Sequence, residues 1–307
     1  MKILVTGATG LVGQRFIAHA RAEGHTLAAL TRDAARGRQA LGEDPGIEVH
    51  EWPEPKSAPP PAAALRAADA VVHLLGETIA QRWSDSVKQE IRDSRVRSTE
   101  QLVAGLRALP EAERPRVFVS QSATGYYGAR DDTPLDESAA PGDGFLADVV
   151  KAWEAQANAA GALGLRVATA RTGVVLAGGA GALAKMLPPF KLGVGGPVAG
   201  GRQWVPWIHL DDNVGALLHL ITDERAEGPA NLTAPAPATN TELSRALGRV
   251  LHRPAVLPVP ALALKLLYGE MASIVLTGAR AVPKRLEALS YAFVHPELEP
   301  ALRDVLS

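Results

Sequence analysis

The sequence predicts a doubly wound α/β fold: a parallel sheet with helices on both faces, followed by a smaller C-terminal lobe. Three observations predict it. Short, almost continuously apolar stretches alternate with longer stretches of helical spacing through the first 171 residues, the pattern of strands buried on both faces. Three glycines, Gly7, Gly10 and Gly13, fall between the first apolar stretch and the first helical one. After Ala170 the alternation stops, and glycine becomes frequent between Gly173 and Gly201. At 307 residues the chain suits one large domain plus a lobe. We expect a nucleotide-binding domain over 1–171 and a substrate-side lobe over 172–307 that shares elements with the main sheet.

Each element has its own signal. Residues 2–6 are a compact β-branched run and predict the first strand. Residues 11–23 carry apolar side chains at helical spacing, Leu11, Phe16, Ile17 and Ala20. Strands are expected at 26–30, 47–52, 70–75, 116–120 and 165–170. Residues 53–61 are proline-rich and read as a surface excursion before a short helix at 62–68. A long helix is expected over 87–109 and another over 145–160. Beyond 171, helices are expected at 183–187, 211–222, 239–251 and 260–267, with a short strand at 205–208.

Composition excludes several classes. Apolar residues make up 47% and charged residues 21%, an ordinary globular balance. The 32 Lys+Arg against 33 Asp+Glu lack the basic excess of a nucleic-acid binder, so no nucleic-acid partner is expected. With no cysteine, disulfides, thiolate nucleophiles and iron–sulfur clusters are ruled out. The start of the chain lacks a signal-type apolar stretch, and the longest apolar run is interrupted by Pro258 and Pro260. A cytoplasmic location without a membrane partner is expected. The eight histidines lack ligand-like spacing, so no metal is expected.

The sharpest motif is Thr6-Gly7-Ala8-Thr9-Gly10-Leu11-Val12-Gly13. The first glycine permits a tight turn, the second lets backbone approach a pyrophosphate, and the third lets helix pack on strand. Free amides and the helix dipole then hold phosphates. The second strand ends Leu30-Thr31-Arg32, with Arg36 close behind. A guanidinium there suits a 2′-phosphate and predicts NADP(H). Two other readings stand beside it: Arg32 is solvated while Asp33 caps a helix, or Asp33 binds a ribose and selects NAD(H).

Further motifs extend along the chain: residues 72–77 (VHLLGE), Arg82-Trp83, residues 94–96 (SRV), residues 122–128 (SATGYYG), Gln203-Trp204, residues 207–209 (WIH) and residues 283–286 (PKRL). With the glycine spacing, they resemble the extended short-chain dehydrogenase/reductase superfamily. More narrowly, the chain resembles the atypical branch labelled NAD-dependent epimerase/dehydratase or cell-division-inhibitor-like sugar-nucleotide epimerase. Its tail, about 254–304, resembles that branch's C-terminal domain of unknown function. The resemblance implies a Rossmann-type sheet with NADP(H) across the carboxyl ends of the strands. It implies that Gly7, Thr9, Gly10, Leu11 and Val12 contact the pyrophosphate, with Gly13 packing beneath, and that Arg32 meets the 2′-phosphate beside Thr31. Leu74, Gly76 and Glu77 would lie along the adenosine ribose and nicotinamide side. Ser120, Gln121 and Ser122 would end the fifth strand beside the nicotinamide, and Thr172 and Gly173 the sixth.

The superfamily's usual chemistry needs a serine and a Tyr-x-x-x-Lys pair on one helix face, where the lysine charge lowers the tyrosine pKa. Ser122 fits the serine. In the register set by Trp153-Glu154, Leu146 stands at the tyrosine position and Val150 at the lysine position. Lys151 comes one residue late, rotated by about 100°. Tyr126 and Tyr127, just after Ser122, are the expected substitutes for moving a proton, and a plain packing role for that pair is the other reading. Arg82, Lys191, Arg202, Gln203, Trp204 and His209 are the expected contacts to a small anionic substrate, such as a nucleotide-linked sugar. For the charged members a solvated surface is the other reading, and for His209 a helix-entry or core position. A homodimer through 87–109 and 145–160 is expected by analogy alone. Without the Tyr/Lys pair, a non-catalytic NADP(H) sensor stands as the alternative to an oxidoreductase or epimerase.

Overall fold

The computed structural model describes all 307 residues. The central sheet is parallel and has seven strands: β1 (Lys2–Thr6), β2 (Thr26–Thr31), β3 (Ile47–Glu51), β4 (Ala70–His73), β5 (Val117–Ala123), β6 (Arg166–Thr172) and β7 (Gly228–Leu232). Their spatial order is β7-β6-β5-β4-β1-β2-β3. The order reverses between β1 and β4, so a crevice opens at their carboxyl ends, where such sheets bind ligands.

Side chains of β1 alternate between two apolar layers. Ile3 and Val5 face one layer with α1 (Leu11–Ala22) and α7 (Leu210–Thr222). Leu4 faces the other, with α3 (Ala62–Arg66), α4 (Asp85–Ala108) and the end of α5 (Phe145–Asn158). This is why the strands read as continuous apolar runs rather than alternating ones. Phe118 of β5 is fully buried, and burial of such a side chain contributes about 1.5–3 kcal/mol.

Three departures from the sequence reading matter. Strands β5 and β6 run about three and two residues past their expected ends, because Gln121, Ser122 and Ala123 pair in register with Ala170, Arg171 and Thr172. A sequence window stops at the first polar residues, whereas the ladder continues while its neighbour does. Strand β7 was not expected from its sequence GPANL. It is an edge strand, where Pro229 costs no central ladder bond, and it comes from the C-terminal half of the chain. The helix expected at 183–187 is α6 (Gly181–Lys191), which continues through Pro188 and Pro189.

The C-terminal lobe builds its own core from α6, α8 (Asn240–Leu251) and the last helix, Leu298–Leu306. Two small pairings follow, of which the second ties it to residues of the sheet domain. Residues Val174–Leu176 run parallel to Trp207–His209, and Arg280–Ala281 runs parallel to Pro134–Leu135.

Candidate cofactor and active site

The turn after β1 excludes side chains. Gly7 has φ of +65°, and a Cβ there would lie 2.8 Å from the backbone carbonyl of Leu74. A Cβ on Gly13 would lie 2.3 Å from the oxygen of Gly7. Helix α1 then begins at Leu11 with no side-chain cap on its amides and no acidic residue in its first turn. The Gly10 amide closes the turn on the carbonyl of Gly7 at 3.0 Å, so the free N–H groups of Thr9, Leu11 and Val12 and an unopposed dipole end make the site for phosphate oxygens.

At the end of β2, Arg32 is exposed, with no ion pair to any carboxylate. Asp33 is committed elsewhere. It caps α2 (Ala34–Ala40), accepting from the amides of Ala35 and Arg36 at 3.0 Å each. Arg36 also faces Asp33, with Nε 3.5 Å from its carboxylate. Thr31 donates to the carbonyl of Asp33 at 3.0 Å. The capping carboxylate is thus occupied, and Arg32 is the free cation of the group. Capping by Asp33 and solvent exposure of Arg32 are compatible with either occupant of the ribose site, and the free guanidinium favours a phosphate.

The loop after β4 is braced from beneath. His73 is fully buried, and burial draws its imidazole down to about 3, so it is neutral. Thr6 Oγ1 accepts from the amide of Leu74 at 3.1 Å and lies 2.7 Å from His73 Nδ1. The Thr99 hydroxyl donates to the carbonyl of Arg95 at 2.7 Å, so His73 Nε2–H donates to Thr99 at 3.0 Å and the Thr6 proton points to Nδ1. Arg95 donates to the carbonyl of Glu77 at 2.9 Å and stands 5.4 Å above the ring of Trp153. Its guanidinium lies 3.0 Å from where a Cβ on Gly76 would be. Burial lowers Arg95 to about 10, with Glu77 opposing, so it stays charged at neutral pH.

Two buried acceptors in this region lack a partner: Gln121 Oε1 near the end of β5 and Asn213 Oδ1, whose own amide nitrogen reaches Thr172 Oγ1 at 3.4 Å. Buried polar atoms are normally satisfied. Ligand donors at the strand ends would satisfy them, and with the uncapped helix the residues present fit a dinucleotide. Ser120 is buried, its hydroxyl turned to the carbonyl of Gln121 at 3.1 Å. Gly173 is fixed by its amide on Leu232 O at 3.0 Å.

Ser122, Arg171 and Asn231 stand in one row across β5, β6 and β7. Glu154 of α5 covers the row. Its Oε1 accepts from Ser122 at 2.6 Å and from Arg171 Nε at 2.8 Å, and its Oε2 accepts from Arg171 at 2.9 Å. Burial disfavours the Arg171 charge, but the Glu154 carboxylate outweighs it and raises its pKa. Arg171 also donates to the Tyr127 hydroxyl at 3.1 Å. Tyr127 in turn donates to Asn231 Oδ1 at 2.7 Å.

This corrects the expectation for Tyr127. Its side chain is fully buried, its hydroxyl is engaged, and burial pushes the phenol up to about 12 despite Arg171. Its contacts are those of the packing role that was its other reading. Tyr126 is only partly buried, with its ring 3.5 Å from the Arg171 guanidinium carbon. Leu146 and Val150 lie against Gly125, 3.6 and 4.0 Å from a Cβ built there. Lys151 pairs with Asp148 at 2.7 Å, and that carboxylate, with Asp143 and Tyr126 farther off, raises its pKa. The α5 surface over Gly125 is therefore apolar.

The residues expected to hold a substrate are dispersed. Arg82 is exposed near Gly269. Lys191 and Arg202 are exposed. Gln203 is a clasp, donating to the carbonyls of Val198 and Val275 at 3.2 and 2.8 Å. Trp204 donates to Asp132 at 2.9 Å, under Arg280. His209 is buried and caps α7, accepting from the Asp211 amide at 3.0 Å through Nδ1. Gln203, Trp204 and His209 thus each spend a polar group on a protein partner, and His209 takes the helix-entry position that was its other reading.

His209 also meets Asp211 and His295 in a group of metal-ligating types. The Nδ1 acceptor role puts the proton on Nε2, which faces Asp304 at 3.1 Å, and both oxygens of Asp211 hold Arg15 at 2.6 and 2.7 Å. A protonated Nε2 is no metal ligand. Glu154, Arg171 and Asn231 were not expected as site residues from the sequence, where Glu154 served only to fix the helix register. A lone arginine inside an apolar strand run was the available signal for Arg171.

Comparison with known proteins agrees with this geometry. Residues 3–232 match the model of the NAD dependent epimerase/dehydratase family. The chain belongs to that family. Residues 259–305 match a second model, a domain of unknown function. Among family relatives, the chloroplastic SDR39U1 homolog of Arabidopsis thaliana is 40% identical over 100% of this chain and 87% of its own. An epimerase family protein of Mycobacterium bovis is 39% identical over 98% of this chain and 96% of its own. The crystal structure of human SDR39U1 with NADPH superposes with a TM-score of 0.86 at 32% identity, covering 99% of both chains.

Proposed function

We propose that this chain is an NADP(H)-binding oxidoreductase or epimerase of the extended short-chain type, acting on a small polar or nucleotide-sugar-like substrate. The observation that carries the reading is the uncapped, acid-free start of α1 above a turn closed to side chains at Gly7 and Gly13. The free Arg32 beside an occupied Asp33 supports a 2′-phosphate. The NADPH in the human relative supports the same choice.

When bound, NADP(H) supplies or accepts a hydride at its nicotinamide ring. The chain's own residues do the rest. Backbone amides of Thr9, Leu11 and Val12 hold the pyrophosphate, and Gln121 accepts from a donor at the nicotinamide end. Ser122 directs its proton to Glu154, so it accepts a hydrogen bond from a substrate hydroxyl rather than donating to a carbonyl. Tyr126 is left as the residue that moves the proton.

Calorimetric titration tests the cofactor. NADPH should bind more tightly than NADH, and Arg32→Ala should shrink the gap by roughly 10- to 100-fold, as expected for hydrogen bonds to a charged group of about 1.5–3 kcal/mol. Equal wild-type affinities would overturn the assignment. For the chemistry, full turnover by both Tyr126→Phe and Ser122→Ala on a substrate found by screening sugar nucleotides and carbonyl compounds would sink it. The apolar Leu146 and Val150 at the usual Tyr/Lys positions favour a second reading, a sensor that binds NADP(H) without turnover. Hydride transfer to any member of that library excludes it.

A further inference from the structure

The C-terminal lobe concentrates the chain's exposed apolar surface. Of the ten large hydrophobic side chains that stand exposed, eight lie within 192–194 and 256–268. These stretches are neighbours: Val198 bridges Val259, Arg253 donates to the carbonyl of Lys191, and Gly196 packs on Leu257. Helix α9 (Ala261–Tyr268) has no buried residue. Leu262 and Leu266, one turn apart, are 67% and 71% exposed, and Leu192 and Val256 are 78% and 76% exposed. Side chains this bare project from the surface instead of lining a groove. A patch of this kind on a chain of ordinary composition marks an interaction surface.

Its charge identifies the occupant. Residues 185–202 and 242–268 carry seven cationic side chains against one acidic, in a protein whose net charge is -1. Arg245, Arg249 and Arg253 line one surface cavity together with Val256, so the basic cluster abuts the apolar one. Lys265 lies on α9 itself, and Lys191 precedes Leu192. Arg249 shares Glu299 with Arg303, which leaves the cluster positive.

We propose that this face attaches peripherally to an anionic lipid bilayer, with α9 and the 192–194 loop seated among the headgroups. Projecting leucines enter acyl chains that deform around them, and the basic rim meets lipid phosphate and carboxylate. No helix of the chain is long and apolar enough to cross a membrane, and interfacial attachment needs none. A second copy packed two-fold on the same face would set the basic rim against itself.

Flotation of the full-length protein with vesicles tests this. Phosphatidylcholine vesicles containing about one-third phosphatidylserine should carry at least about tenfold more protein than phosphatidylcholine alone. Roughly 0.5 M salt should release most of it. Leu262→Ser with Leu266→Ser should abolish binding, and Leu192→Ser, on a separate segment, should weaken it. NADPH titration of each variant checks that the fold is intact. Absence of binding to anionic vesicles, or equal binding to both kinds, overturns the proposal. So does a concentration-dependent dimer in sedimentation velocity that the leucine variants dissolve, which would make a second copy the occupant.

Discussion

Glu154→Gln is the most informative single change in the sheet domain. The wild-type side chain accepts two hydrogen bonds from Arg171 and one from Ser122. The two charged side chains are 4% and 9% exposed, so water cannot replace the lost partner. A glutamine keeps the shape and one acceptor oxygen but turns an N–H₂ toward the guanidinium, leaving Arg171 charged, buried and unpaired. Breaking a buried pair from one side costs about 3–5 kcal/mol. Against a total stability of about 5–15 kcal/mol, that is a large fraction. At about 2–4 °C per kcal/mol for a domain of roughly this size, the melting temperature should fall by on the order of 10 °C. Thermal and urea unfolding measure it. The double variant Glu154→Gln/Arg171→Met should recover part of the loss, because it removes the stranded charge. A single-variant melting temperature within about 2 °C of wild type, a loss under roughly 1 kcal/mol, would refute the claim that this pair holds β5, β6 and α5 together.

Three further outcomes follow from the structure. Gly13→Ala puts a methyl 2.3 Å from Gly7 O and 2.8 Å from Ala8 Cα, so it should cost about 1–3 kcal/mol and weaken NADPH binding by displacing the turn. Gly24→Ala, with open space around its Cβ but a positive φ, should lose about 1–2 kcal/mol through the left-handed backbone alone and leave NADPH affinity unchanged in titration. Acid should destabilise the protein through its buried histidines. His73 falls from 6.5 to about 3 on burial, and His209 is lowered by burial and by stacked His295. Both are neutral in the fold while the unfolded chain takes up protons below about 6.5, so stability is full above that pH and declines below it. For His73 the loss by pH 5 is about 2 kcal/mol. Urea denaturation at pH 7 and pH 5 checks the sign, and stability that holds or rises toward pH 5 contradicts it.

Much of the fold was legible because its signals are local. Strands buried on both faces announce themselves as apolar runs, and β1 and β4 fall within residues of their expected ends. The phosphate-binding turn was legible for the same reason, since a backbone conformation that only glycine tolerates leaves a glycine at each tight position. The family resemblance, in the register set by Trp153-Glu154, put Leu146 and Val150 where the usual tyrosine and lysine would stand, and the structure finds that surface apolar.

Strand β7 was invisible because five residues with a proline and an asparagine carry no periodic signal; only pairing with β6 makes them a strand. Tyr126 and Tyr127 are adjacent and identical in type, so no sequence argument separates them.

The sequence by itself therefore determined the fold class, the cofactor-binding turn and the absence of an orthodox Tyr/Lys pair, all set by neighbours within a few positions. Only the tertiary structure decided which groups are free to act. Tyr127 is withdrawn by Asn231, 104 positions away, and Ser122 is oriented by Glu154, 32 positions away. His209 is turned to the C-terminal helix by Asp304, 95 positions away. A side chain's proton goes where a buried partner makes leaving water worthwhile, and that partner comes from the packing of distant segments, not from the residues beside it.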